Sequence, residues 1–519
     1  MTDASARDAP RAAGGRRGRA RAASRVRATA REARAAGEPA RTHRRREPTR
    51  RALRSGLRPP GGESGRAAPA QGGQGAAHDH RIGVERPQAV ALLACFAAYS
   101  ALLGVFAHGA EAVWGEWAAG SYGVAALVAR WWRRFPAMVP VAALVGAFLV
   151  PAAVLPVNWG ATSEVRVVER AATLWLSHGS PYIASSRLLS WRAYDPYLPG
   201  MSLFGLPHAL GFPGPLGDSL VWLAVVTFAL LAAACRIVAP GAAGRCPGCR
   251  RQALLRAALL VACPVFAFPM ALGVTDPPVI ALMCLGLAWT ARSSRAPGAV
   301  PASAAVDGRK GGTDDALQRR GRPLLAGIAI GLDCALKATA WPALPVILVL
   351  VAVRDGGRSA ARFAGAALAS FFAVVVLSAP ALLAHPRALW QNLVAYPLGL
   401  SRRRTPAASP LPGHLLASTG GLGHLAAIAL LAAAALAVGV SLILRPPIDV
   451  RQATMRLAIG LSALFLLAPD ARFGYFAYPL GILAWLILAG IVPHQRERQP
   501  GLQDAACVGI AAAEPGHRA

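Results

Sequence analysis

Residues 423–444 read GHLAAIALLAAAALAVGVSLIL. The stretch has no Asp, Glu, Lys or Arg, and it is as long as the roughly 20 apolar residues a helix needs to cross a bilayer. A second run, DSLVWLAVVTFALLAAACRIV at 218–238, repeats the pattern. The whole chain is 519 residues, 55% hydrophobic and only 15% charged. That composition cannot supply the polar surface of a soluble body this large. The expected fold class is therefore all-α, a polytopic helical integral membrane protein.

Working outward, apolar segments predict about twelve spans, at 88–108, 117–130, 136–156, 218–238, 254–271, 277–291, 323–338, 340–353, 363–384, 423–444, 457–469 and 474–492. The basic loops arrange themselves around these. RWWRR (130–134), GRCPGCRRQ (244–252), the linker 292–322, RDGGRSAAR (354–362), RPPIDVR (445–451) and HQRERQ (494–499) all fall on the side of the N-terminus. Cytoplasmic loops collect Arg and Lys, so both termini are expected in the cytoplasm of a multi-pass plasma-membrane protein. The other loops, 157–217, 272–276, 385–422 and 470–473, are then external. One external loop, 400–409, breaks the pattern with Arg402, Arg403 and Arg404.

The formal net charge is +30. Much of it lies in 1–87, an Arg, Ala, Gly and Pro segment without the apolar residues to offset its ordering entropy, which predicts a disordered tail. A solvated tail and a tail adhering to anionic lipid headgroups both fit this composition. No nucleic-acid partner is expected from charge so confined, and the first apolar run lies too far in for a signal peptide. The domain reading is a tail 1–87, a membrane body 88–493 and a C-terminal tail 494–519. Of eight cysteines only Cys246 and Cys249 cluster; a lone pair is half a zinc site or a redox pair, and no second pair lies nearby.

The loop 157–217 carries the richest chemistry. Its stretch 164–176, EVRVVERAATLWL, has helical spacing, with Val165, Val168, Ala172 and Leu174–Leu176 toward the membrane surface and Arg166, Glu169 and Arg170 away from it. His178 to Tyr182 ends that helix, and YDPYLPGM (194–201) is a two-proline turn. Acids predicted at the outer face are few: Glu111, Glu116, Glu164, Glu169, Asp195, Asp218, Asp276 and Asp470. Sugar transfer needs a carboxylate to take an acceptor proton and cations to stabilise a phosphate leaving group. This loop holds both residue types, although exposed pairs such as Glu164/Arg166 and Glu169/Arg170 also read as solvated surface charge.

The chain contains two lysines, and one, Lys337, stands in the apolar run GLDCALKATAWPALPV (331–346). Asp333 lies four residues earlier, which predicts that the two share a helix face. They read either as an intramembrane pair or as a lysine at the outer end of a span aiming its ammonium at a phosphate. The corners GVTDPP (273–278) and LAPDARFGYFAYP (467–479) add Asp276, Asp470, Arg472, Tyr475 and Tyr478. These suit interfacial anchoring or a sugar-phosphate headgroup.

TSEVRVVERAATLWLSHGSPY (162–182), YDPYLPGMSLFGLP (194–207) and AGIAIGLDCALKATAWPALPVIL (326–348) together resemble glycosyltransferase family 87. The resemblance implies a GT-C-like fold and an inverting α-mannosyltransferase. It implies a polyprenyl-phosphate-sugar donor, a lipid or glycan acceptor in the membrane, and no cofactor. A carboxylate-held divalent metal stays open. Carried onto these residues, it implies Glu164 as base with Glu169 or Asp195 in reserve. Arg166, Lys337, Arg472 and Tyr197 would then hold the substrate or its phosphate. Lys337 and Thr339 match the family's Leu-Lys-x-Thr landmark, while Glu164 replaces its usual Asp, Val168 its aromatic residue, and its proline is displaced to Pro342. Two other classes remain from the residues alone. One is a transporter or flippase using Asp333 and Lys337, against which no inverted repeat is visible. The other is a scaffold working through its Arg-rich tail.

Overall fold

The computed structural model describes residues 86–131, 137–159, 162–183, 187–239, 247–291, 312–378, 386–401, 403 and 405–489. The Arg-rich tail up to residue 85, linker residues 292–311, the C-terminal tail, Cys246, Arg402 and Arg404 lie outside them, as do the readings that rest on them. The described residues are mostly helical, and their sole β feature is one parallel bridge between Ala408 and Ala471. The protein is all-α and polytopic.

Among the described residues, seven helices are long and apolar enough to cross a membrane: Pro87–Phe106, Met138–Pro156, Ser219–Val238, Ala338–Asp355, Gly357–Leu377, Gly421–Leu444 and Val450–Leu467. The pair Arg250–Ala262 and Pro264–Leu272, bent by 69° ahead of Pro264, adds an eighth if counted as one span. Asp276–Ala291 and Phe473–Leu488 are apolar but shorter. This is fewer than the expected twelve or so, although helix stands where each span was expected. Ala110–Trp131 carries Glu111, Glu116 and Arg130, and Gly312–Cys334 opens on a charged turn, so neither is apolar throughout.

Helices sort by which surface they bury. Gly421–Leu444 buries only Gly423, Ala427 and Leu442, and exposes Leu422, Leu436 and Ile443 along its length. Asp276–Ala291 is the opposite, buried on nearly every side. It packs against Ser219–Val238, Gly312–Cys334 and Ala477–Leu488. Close helix contact is secured by small residues, as is usual within membranes. A Cβ on Gly327 would lie 2.3 Å from the Phe363 carbonyl oxygen, and one on Gly331 would lie 2.1 Å from Ser370 Oγ. These glycines let Gly312–Cys334 lie against Gly357–Ser378.

The helix expected in the first external loop is Ser163–His178. Thr162 caps its start by accepting from the Val165 N–H, and Gly179 ends it in the left-handed region at φ 70°. Its apolar side was expected on the membrane surface. Instead Val165, Val168, Ala171 and Ala172 are buried within the protein, against the 3-10 turn Pro199–Gly205 and the start of Ser219–Val238. The segment 194–201 is likewise interior. Leu198 N donates to the Leu336 carbonyl at 3.0 Å and Gly200 N to that of Ala335 at 3.0 Å. These two bonds clip the loop to the end of Gly312–Cys334 and fix where Tyr197 stands.

Candidate active site

Four segments far apart in sequence meet at one polar cluster. Glu164 comes from the first turn of Ser163–His178, where a carboxylate also complements the helix dipole. Thr275 and Asp276 come from the turn that opens Asp276–Ala291. Lys337 stands just beyond Gly312–Cys334, and Arg472 just ahead of the 3-10 turn Phe473–Phe476.

Glu164 is held from one side. Its Oε2 accepts from the Thr275 backbone N–H at 3.0 Å and from Thr275 Oγ1 at 2.8 Å. Its Oε1 has Arg472 at 3.6 Å, an ion pair longer than a hydrogen bond. Burial opposes its charge. Lys337, the two Thr275 hydrogen bonds and Arg472 outweigh that and hold its pKa below the ordinary glutamate value of 4.5. Thr275 is presented by a turn at Gly273, whose φ is +76°. A Cβ there would lie 2.7 Å from Val165 Cγ2, so a side chain would both strain the turn and push the Glu164 helix away.

Lys337 is sealed. It retains 7% exposure, donates to Asp276 Oδ1, and lies 3.4 Å from Thr275 Oγ1. Its ammonium stands 5.0 Å from the Tyr197 ring centroid and 5.7 Å from that of Tyr475. Asp276 Oδ1 also accepts from Tyr478 Oη at 2.8 Å, and Tyr478 Oη accepts from Thr339 Oγ1 at 2.8 Å. Two carboxylates are thus matched by two cations, a balance that a buried site requires.

The expected Asp333/Lys337 helix face does not form. The helix ends at Cys334, and Lys337 is extended at φ −153° and ψ 139°. The chain turns there, with Leu336 N donating back to the Asp333 carbonyl at 3.0 Å. Asp333 is fully buried and neither carboxylate oxygen has a hydrogen-bond partner.

Of the residues singled out from the sequence, Glu164, Lys337, Arg472 and Tyr197 converge. Arg166 does not. Two residues on from Glu164 it points to the opposite side of the helix and is exposed. Glu169 faces His208 at 3.7 Å, outside the cluster. Asp195 is buried as part of its own turn: Oδ1 accepts from Tyr197 N at 3.0 Å, and its N–H donates to Asn392 Oδ1 at 2.8 Å. Burial raises its pKa to about 7, against the Tyr197 N–H and Arg170, which pull it down. It buttresses the loop that carries Tyr197.

The sequence placed Asp276 at a corner suited to anchoring or a sugar-phosphate headgroup but gave it no partner, and Thr275 went unremarked. The signal was GVTDPP: a glycine, a hydroxyl and an acid ahead of two prolines, a helix start that carries polar groups into an apolar body. Among the described residues, no group of three or more His, Cys, Asp or Glu is placed to hold a metal ion.

Comparison with known proteins bears on this geometry. Residues 311–469 match the model of glycosyltransferase family 87, so the resemblance read from the motifs holds over that stretch. No curated protein and no solved structure matches the chain. The matched region contains Lys337 and Thr339 but stops short of Arg472, and it excludes Glu164 and Asp276. The match thus covers under a third of the chain and lies within its apolar helical part.

Proposed function

We propose that this membrane glycosyltransferase moves a hexose, mannose by the motif resemblance, from a polyprenyl-phosphate donor to a lipid or glycan acceptor at the outer face of the plasma membrane, with both termini cytoplasmic. The observation that carries the reading is Glu164. One carboxylate oxygen is fixed by Thr275, and the other lies beside a half-exposed guanidinium. A general base and a cation for a phosphate leaving group are then side by side.

In this reading the acceptor oxygen attacks the anomeric carbon from the face opposite the phosphate, and the configuration inverts. The new C–O bond forms as the bond to phosphate breaks. The leaving electron pair goes to the phosphate oxygen, whose charge Arg472 neutralises, and the acceptor proton passes to Glu164 Oε1. Lys337, buried and engaged by Asp276, is a fixed charge behind Glu164 rather than a direct phosphate ligand. Its charge helps hold the Glu164 pKa down. The chemistry needs no nucleotide site, since the donor is lipid-linked. A GT-C-type arrangement belongs to the same reading.

The test is incorporation of labelled mannose from polyprenyl-phosphate-mannose into membrane lipids, in membranes with the protein, with Glu164→Gln, and without the protein. Label that requires the protein and is lost in Glu164→Gln supports the proposal. Equal label in all three sinks it.

A further inference from the structure

Arg472 is placed to meet both a phosphate and Glu164, and its placement suits an exchange between the two. Its side chain is 38% exposed while that of Glu164 is 15% exposed, so the guanidinium is the more solvent-exposed member of the pair. Their 3.6 Å separation is an ion pair without a hydrogen bond, the kind of contact that is weak when exposed. The backbone of Arg472 is extended, at φ −123° and ψ 147°, ahead of a short 3-10 turn. Glu164 itself stays in place without Arg472, because Thr275 grips Oε2 through two hydrogen bonds. The other charged groups near Glu164 do not compete for the role: Lys337 and Asp276 are buried and bonded to each other, and Tyr197 and Tyr475 enclose Lys337.

We infer that Arg472 is a latch on the catalytic carboxylate. In the free protein it covers Glu164 Oε1, and an arriving polyprenyl phosphate draws it away and uncovers that oxygen for the acceptor hydroxyl. Donor binding then precedes acceptor binding, and the base is exposed only when a leaving group is in place. No bond forms or breaks in this step; one ion pair is exchanged for another. The inference rests on the proposed function and adds the order of events to it.

The test measures modification of Glu164 by a water-soluble carbodiimide with an amine nucleophile, read by mass spectrometry on the full chain in detergent micelles. The added ligand is farnesyl phosphate, whose binding is measured separately. Farnesyl phosphate is expected to raise Glu164 modification on the order of threefold, the scale of releasing one exposed ion pair. Arg472→Gln is expected to show the raised level without ligand and no further response, and Arg472→Lys to restore part of the protection. Binding of farnesyl phosphate with unchanged Glu164 modification overturns the latch and leaves the glycosyltransferase reading standing. Failure of farnesyl phosphate to bind overturns both. Arg472→Gln must melt like wild type; if it does not, Arg472→Lys decides, and protection equal to wild type with no ligand response overturns the latch.

Discussion

The polar cluster has two halves built from the same residue types, a carboxylate and a cation in each. Asp276 and Lys337 are sealed under Tyr197, Tyr475 and Tyr478. Glu164 and Arg472 stand at the edge of the same cluster and remain partly exposed. Burial separates their physics. A sealed pair is bonded, satisfied and rigid, and removing one member strands the other charge in low dielectric. An open pair is loosely coupled and free to exchange partners. Stability is therefore expected to reside in the first half and chemistry in the second.

The largest break in that contrast comes from Lys337→Met. It leaves Asp276 buried without its cation, and is expected to lower stability by about 3–5 kcal/mol. Yield and thermal melting in detergent read this, and Asp276→Asn in the same chain should recover part of it. If Lys337→Met melts like wild type while transfer is lost, the sealed half is catalytic after all.

Glu164→Gln is expected to do the reverse, cutting transfer by about 10²–10⁴-fold with melting nearly unchanged. In wild type the lowered pKa of Glu164 predicts that the acid limb of kcat/KM has its midpoint below pH 4.5. A smaller effect should come from Thr275→Val. It removes one hydrogen bond to a charged group, and about tenfold in rate is the matching scale.

Asp195→Asn sharpens the difference between a buried buttress and a base. Asp195 has its pKa raised from 3.8 to about 7, so the folded protein binds the proton more tightly than the unfolded chain. Wild-type stability should then fall as pH rises from about 4 to about 7. Asn keeps an oxygen for the Tyr197 N–H and does not titrate. The variant should melt above wild type near pH 8, converge with it near pH 4, and retain transfer. Smallest of all is Arg166→Ala, which lies on the far side of its helix and should leave transfer and melting as they are.

How much of this was legible beforehand follows from the range of each signal. Membrane helices announce themselves, because a bilayer demands a local, unbroken apolar run, and 218–238 and 423–444 satisfy it residue by residue. Span counting fared less well where a helix is short and wholly enclosed, as at Asp276–Ala291, or bent, as at Pro264. Lys337 stood out as a rare lysine in an apolar run, and Glu164 as an acid in a motif resembling family 87. Their true partners did not. Spacing of four pointed Lys337 to Asp333, but a helix that stops at Cys334 breaks the geometry on which that rule depends.

What the sequence by itself determined, then, is what short-range physics controls. The class of fold, the amphipathic helix with its Thr162 cap and Gly179 stop, and the scarcity of charge that made a few residues conspicuous all belong there. Only the tertiary structure decided the pairing: Lys337 with Asp276, Glu164 with Thr275 and Arg472, and Asp195 withdrawn into its own turn. Those contacts span from two to more than two hundred residues along the chain. In a buried site each charge must find a counter-charge wherever the packing of helices places one, and that choice is made by the assembled body rather than by any segment of it.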